Sequence, residues 1–215
     1  KKHGKRWLLF GGIGLAALIL LCAIVVILPK LLKSSGIDSD YVLYIKDKEG
    51  YVANLKSGGK SAQVTESFLA DWEMADNEDL ASICSDNVPL ACISQNGNYV
   101  FYPDNIDESA DGMNLYYRSL KNIKAEPIKI DTDVVLYCVN DNATFVTYLT
   151  ADDELYQYSL RSDTKDKIGI DVERFDVTND GSRIAYIDDN DSVYVKYAGK
   201  EKEKIATEID QLYYC

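Results

Sequence analysis

A unit of about 40 residues recurs along this chain, and no other feature limits its fold so strongly. Three runs share one form: "NYVFY" (Asn98–Tyr102), "TFVTY" (Thr144–Tyr148) and "SRIAY" (Ser182–Tyr186). Each follows a turn-forming triplet, Gln95-Asn96-Gly97, Asn140-Asp141-Asn142 or Asn179-Asp180-Gly181. The closing tyrosines, Tyr102, Tyr148 and Tyr186, recur at nearly even spacing, and the earlier run Tyr41-Val42-Leu43-Tyr44 ends in the same way. Aromatic and β-branched residues suit a pleated, half-buried surface and Asn, Asp and Gly suit turns, so each run reads as a strand entered through a turn. A second strand follows each: Tyr51–Leu55, Leu115–Leu120 ("LYYRSL"), Leu155–Leu160 ("LYQYSL") and Val193–Tyr197. A third element recurs at Ile128–Ile130, Ile168–Ile170 and Ile205–Thr207, and a fourth at Leu136–Cys138, Phe175–Val177 and Leu212–Tyr214.

Four strands in every such unit are the pattern of a β-propeller blade. Blades stack face to face, so strands inside a blade are covered on both sides and read as near-continuous apolar runs. "YVLYI", "YVFY" and "RIAYI" read this way, whereas "YRSL" and "YVKY" admit polar residues as outer strands do. A β-sandwich of short strands is the alternative architecture, and it leaves the internal echo unexplained. One incomplete unit lies at 40–67 and fuller ones at 91–135, 136–174 and 175–211, while 68–90, with "ADWEMADNEDL", fits no strand pattern. The expectation is an all-β region over 40–215, a partial propeller of four-stranded antiparallel blades, incomplete at its C-terminal end and part of a longer propeller.

The N-terminal segment, up to Lys33, is different. Trp7 to Leu28 carries no charge. At about 1.5 Å per residue a helix of this length spans about 33 Å, enough to cross a hydrocarbon core of about 30 Å. A signal peptide would have a shorter apolar region and a small-residue cleavage site, and Pro29-Lys30-Leu31-Leu32-Lys33 offers none. The reading is a basic tail at 1–6, a transmembrane helix at 7–29 in the lipid bilayer, and a polar linker at 30–39. Lys1, Lys2, Lys5 and Arg6 before the helix, against Lys30 and Lys33 after it, place the N-terminus in the cytosol and the larger region outside the cell membrane. Gly12-Ile13-Gly14-Leu15-Ala16-Ala17 fits a dinucleotide-binding spacing, but that fingerprint needs a preceding strand, which an apolar helix lacks.

All 35 acidic residues lie after Ser34, against 17 of the 23 basic ones. A nucleic-acid groove needs the opposite sign, so no nucleic-acid partner is expected.

The stretch "TNDGSRIAYIDDNDSVYVKY" (Thr178–Tyr197) resembles the TolB-type propeller repeat, through Thr178, Asp180, Gly181, Ile184, Ala185, Tyr186, Val193 and Tyr194. The neighbouring units depart from it, since Asn142 replaces the turn glycine and the Ile-Ala pair is lost. With the anchor, the arrangement also resembles membrane-anchored propeller proteins of Gram-positive bacteria. The resemblance implies a fold and leaves the function open, because propellers serve many roles.

The only histidine, His3, precedes the anchor, so the outer region has no His-based triad, Cys–His dyad or His metal ligand, and no cofactor is expected. Two function classes stay open. The first is a non-enzymatic binding or scaffold module for a protein, peptide or envelope glycan. The second is a carboxylate-dependent enzyme acting on cell-surface glycans, since paired Asp and Glu hydrolyse glycosides. Asp71, Trp72 and Glu73 form the one acidic-aromatic cluster outside the repeats and are candidate ligand-binding residues. Tyr117 and Tyr158, off the repeat register, are candidates for an aromatic recognition surface, whereas Tyr102, Tyr148 and Tyr186 read as blade packing. "DDNDS" (Asp188–Ser192) places oxygens at alternate positions as Ca²⁺ loops do, but lacks the glycine and closing Glu of an EF-hand and reads as a turn. Of Cys84, Cys92, Cys138 and Cys215, the first two are closest in sequence and are the candidate disulfide, with burial as small apolar residues the other reading.

Overall fold

The computed structural model describes residues 40–47, 49–65, 91–104 and 112–209. The chain divides into two units, Lys1–Asp38 and Ser39–Cys215, and every described residue lies in the second. The expected tail, anchor and linker, the 68–90 segment and the Leu212–Tyr214 strand lie outside the described residues. No helix among the described residues is long and apolar enough to cross a membrane.

Fourteen antiparallel strands make up the described residues. Blade 1 is the sheet β1 (Tyr41–Lys46), β2 (Glu49–Asn54) and β3 (Lys60–Thr65). Blade 4 is β11 (Val172–Val177), β12 (Arg183–Asp188), β13 (Val193–Tyr197) and β14 (Glu203–Ala206), in that order. Between them β4 (Cys92–Ile93), β5 (Tyr99–Pro103), β6 (Met113–Ser119), β7 (Ile128–Val139), β8 (Phe145–Thr150), β9 (Leu155–Ser159) and β10 (Thr164–Gly169) form one seven-stranded sheet. The sequence reading separates Ile128–Ile130 from Leu136–Cys138, but the structure joins them in the 12-residue β7. Its first half pairs with β6 and closes blade 2, and its second half pairs with β8 and opens blade 3. Register shifts on both sides of Val134 let one strand serve both blades. The best-preserved repeat copy, 178–197, forms β12 and β13, the two middle strands of its sheet.

Each blade carries one cross-strand row in the same register. Tyr44 faces Tyr51, Tyr102 faces Tyr116, Tyr148 faces Tyr156 and Tyr186 faces Tyr194. The rings stack with centroids 5.4, 6.3, 5.6 and 5.1 Å apart. Such aromatic pairs contribute about 0.5–1.5 kcal/mol beyond their area. On the next strand the row continues to Gln63, Lys129, Lys167 and Lys204, and the three lysines sit over the outer tyrosine rings at 5.9, 5.5 and 5.0 Å. One residue further, every blade has a bulge that sets an aliphatic side chain out of register: Val64, Ile130, Ile168 and Ile205.

The core lies between blades. Val52, Val64, Val100, Tyr102 and Leu120 bind blade 1 to blade 2. Phe101, Leu115, Ile130, Val146 and Tyr148, with their neighbours, bind blade 2 to blade 3. Leu149, Leu155, Ile168, Ile184 and Tyr186 bind blade 3 to blade 4. Each interface thus repeats one arrangement, in which a Tyr pair on one blade meets aliphatics and a bulged Val or Ile on the blade before it. Tyr102, Tyr148 and Tyr186 are almost wholly buried, as blade packing requires. Burying such a side chain contributes about 1.5–3 kcal/mol.

Candidate functional site

The turns between strands gather at the two ends of the blades. At one end, the turns joining the first two strands of blades 2, 3 and 4 are tied one to the next. Asn96 Nδ2 donates to Asn142 O at 2.6 Å, Asn140 Nδ2 to Asp180 O at 3.0 Å, and the Asp141 N–H to Asn179 O at 2.9 Å. Gly181 fits here with φ +73°, its backbone close to Asn140 and Phe145, where a side chain would be crowded as well as strained. Asp180 accepts from the Thr178 hydroxyl at 2.7 Å and from the Ser182 N–H at 2.9 Å, and these bonds hold its carboxyl down at about 2.

The opposite end is built from the turns between second and third strands and from the links between blades. Asp133, Asp153, Asp171 and Asp191 all adopt φ between 53° and 55°, a left-handed conformation that Asp tolerates better than bulkier residues. The carbonyl of each accepts one backbone bond from a neighbouring turn or link. Asp133 O takes the Ala151 N–H at 2.8 Å, Asp153 O the Val172 N–H at 2.9 Å, Asp171 O the Asp189 N–H at 2.9 Å, and Asp191 O the Ile209 N–H at 3.3 Å. The bonds form a chain across blades 3 and 4, so this end is a continuous and well-braced face. Asp133, Asp152, Asp153, Asp171, Asp189, Asp191 and Glu208 are exposed on it, and these turns of blades 3 and 4 contain no Lys or Arg. Lys204 reaches the Ser192 hydroxyl at 3.1 Å at one of these turns, and the exposed carboxylates leave the face net negative on a fixed backbone. A cationic partner gains there without having to order a loop.

Between the faces, charge is neutralised internally. Asp131 accepts from the Tyr148 hydroxyl at 2.6 Å and pairs with Lys165 at 2.7 Å. Burial opposes its charged form, but Lys165, Tyr148 and the Thr132 N–H outweigh burial and hold the carboxyl below its ordinary value. Glu154 accepts from Lys167 and Tyr156, each at 2.5 Å, and lies below its ordinary value for the same reason.

The candidates read from sequence fall in three places. Asp71, Trp72 and Glu73 lie outside the described residues, as does Cys84. Tyr117 and Tyr158 come together, but inside the core: they are 6% and 4% exposed, with ring centroids 6.3 Å apart. Tyr117 also stacks on Phe101 at 5.8 Å, and the Tyr158 hydroxyl donates to Asp163 at 2.5 Å. They are thus not an open recognition surface, because strand alternation turns both rings into the joint between blades 2 and 3. Cys92 is a free thiol, and Cys84, its expected partner, lies outside the described residues. Cys92 packs at the same joint, where the Tyr137 hydroxyl donates to its sulfur at 3.8 Å and burial pushes the thiol up to about 11. Asp188 of "DDNDS" spends its carboxylate on the Asn190 and Ser192 N–H groups at 3.1 and 2.9 Å, as a strand-joining turn does. No group of three His, Cys, Asp or Glu among the described residues is placed to hold a metal ion. Sequence reasoning missed the four aspartates whose carbonyls brace this face, Asp133, Asp153, Asp171 and Asp191. The signal was their near-even spacing at half the repeat, which a search for whole repeats passes over.

The fold has known counterparts. The chain resembles the dipeptidyl peptidase 4 of Porphyromonas gingivalis with a TM-score of 0.54 at 15% identity, over 78% of this chain and 31% of that one. It also resembles the N-terminal domain of Nup159 (TM-score 0.46, 17% identity, 80% and 42% of the two chains) and Kluyveromyces lactis Hsv2 (0.47, 10%, 79% and 49%). The first of these is a propeller-type protein, and its likeness, together with the repeated four-stranded blades, defines the chain as an all-β protein of β-propeller architecture. At such identities the likeness concerns the fold alone, and the chain spans less than half the length of each of the three. The sequence matches no protein-family profile and no curated protein.

Proposed function

We propose that the chain is a membrane-anchored, TolB-like propeller that acts as a non-enzymatic binding module, taking a cationic protein or peptide segment on its acidic face. The observation that carries this reading is the chain of left-handed aspartates, which fixes exposed carboxylates on a backbone braced from turn to turn. A preformed face loses little conformational entropy on binding, and clustered like charge speeds encounter with an oppositely charged partner. The anchor at 7–29, with the domain outside the membrane, rests on the uncharged run and its basic flanks.

The test uses the full chain in mild detergent, titrated into a fluorescent Lys-rich peptide and into a Glu-rich peptide of equal length. The Lys-rich peptide is expected to bind. Its affinity should fall at least about tenfold on the double change Asp152→Asn and Asp189→Asn, and again when salt is raised to about 0.5 M. Equal binding of both peptides, or no binding of either, overturns the reading.

A further inference from the structure

The joint between blades 2 and 3 and the joint between blades 3 and 4 follow one plan, so they can be compared position by position. At the first, two carboxylates serve two lysines and two tyrosines. Asp131 accepts from the Tyr148 hydroxyl at 2.6 Å and pairs with Lys165 at 2.7 Å, and Glu154 accepts from Lys167 and from the Tyr156 hydroxyl. Lys165 and Lys167 lie over the Tyr156 ring, 4.8 and 5.5 Å from its centroid.

The second joint keeps the lysines and the tyrosines. Tyr186 and Tyr194 stand where Tyr148 and Tyr156 do. Lys204 faces Tyr194 as Lys167 faces Tyr156, and Lys202, two residues earlier, corresponds to Lys165. Both lie over the Tyr194 ring at 5.0 Å, and Lys202 is also 5.5 Å from the centroid of Tyr186. Both carboxylates, however, are replaced. Gly169 has the register of Asp131, and Ser192 precedes Val193 as Glu154 precedes Leu155.

The replacements leave three polar groups without the carboxylates that their counterparts have. Tyr186 is 1% exposed, and its buried hydroxyl has no partner among the described residues. Neither Lys202 nor Lys204 forms an ion pair among the described residues. Lys204 reaches only the neutral hydroxyls of Ser192, at 3.1 Å, and Tyr194. The nearby Asp188 acts on Lys204 at longer range, with its carboxylate taken by the Asn190 and Ser192 N–H groups. Asp166, on the blade 3 side by register, pairs with neither lysine. Buried polar groups are almost always hydrogen-bonded, so a buried phenol beside two unpaired lysines calls for an acceptor.

We propose that the groove between blades 3 and 4 binds a small organic carboxylate from solution. The ligand accepts from the Tyr186 hydroxyl and Lys202, as the Asp131 carboxylate does from Tyr148 and Lys165, and Lys204 adds charge. The Tyr186 ring closes against Gly169, so the ligand enters from the outer rim, where both lysines lie over the rings. The inference stands apart from the acidic face and does not depend on it.

The test is calorimetric titration of succinate into the full chain in mild detergent, in a buffer free of other carboxylates and of phosphate, with sodium chloride at matched ionic strength as the blank. Saturable binding is expected. Tyr186→Phe and Lys202→Gln should each weaken it by about tenfold or more, since each removes a hydrogen bond to a charged group. Tyr186→Phe removes a hydroxyl with no partner among the described residues and Lys202 is exposed, so neither change should lower the thermal transition. Lys165→Gln, at the joint where Asp131 already serves the lysine, should leave succinate binding unchanged. No saturable binding overturns the proposal, as does binding that both site variants retain. An equal loss in Lys165→Gln would reduce the effect to net charge and also overturns it, and so does tighter binding of inorganic phosphate than of succinate.

Discussion

The hydroxyl of Tyr148 donates to the Asp131 carboxylate at 2.6 Å, while the hydroxyl of Tyr186, at the same place in the next blade, is buried without a partner among the described residues. The residue after the bulge explains the difference. Asp131 follows the bulged Ile130, and Gly169 follows the bulged Ile168, so blade 3 offers no carboxylate to Tyr186. A Cβ on Gly169 would lie 2.9 Å from Tyr186 Cζ, which leaves no room for one. Hydrogen bonds to charged groups are worth about 1.5–3 kcal/mol, whereas a buried unpaired hydroxyl costs free energy. Tyr148→Phe should therefore lower stability by about 1–3 kcal/mol, and Tyr186→Phe should be neutral or raise it by up to about 1 kcal/mol. Urea midpoints of the two variants check this, and equal losses would refute it.

Gly112 is a point of backbone contact. A Cβ there would lie 2.4 Å from the Asp133 carbonyl carbon and 2.6 Å from its oxygen. That oxygen is the one that accepts the Ala151 N–H, so the link cannot move without loss of the bond. Gly112→Ala is expected to destabilise by about 1–3 kcal/mol or more, as overpacking against backbone does. Thermal unfolding should show it, and hydrogen exchange should rise first at Ala151.

Acid should weaken the joint between blades 2 and 3. The folded Asp131 carboxyl is held below its ordinary value of 3.8, so the unfolded chain takes up its proton first as pH falls. Its contribution is complete well above 3.8 and is lost as pH drops through the lower folded value. Lys165 is 46% exposed at its side chain, so the pair itself is worth about 1 kcal/mol or less. Asp131→Asn should be less stable than the parent at pH 7, and the gap should shrink as pH falls below 3.8 through the lower folded value and narrow in high salt. A gap that does not change with pH would mean that packing, rather than charge, sets the effect.

The two described cysteines should react unequally. Cys138 is exposed, while Cys92 packs at a blade joint with its thiol raised to about 11. Only the thiolate is a good nucleophile. With iodoacetamide at about pH 8, Cys138 is expected to be modified first, and Cys92 only as the domain opens. Mass spectrometry of the digested chain separates them. Equal rates would contradict the packing described for Cys92.

Local sequence determined the strands and their period. The tyrosine that closes each second strand, the Asn-, Asp- and Gly-bearing turns and the apolar runs act over a few residues, so the four-strand unit was legible without a fold. What lay between units was not. Whether Ile128–Ile130 and Leu136–Cys138 are two strands or one depends on which neighbours pair with them, and β7 is continuous because β6 and β8 take opposite halves of it. Tyr117 and Tyr158 looked free because they break the repeat, but strand alternation sets them on facing blades, where apolar area is removed from water. The acidic face was equally hidden. Asp133, Asp153, Asp171 and Asp191 are scattered in the chain, and only backbone bonds between successive turns bring them to one end of the blades. Residue type decided which segments pair as strands; tertiary packing decided which of their side chains face water.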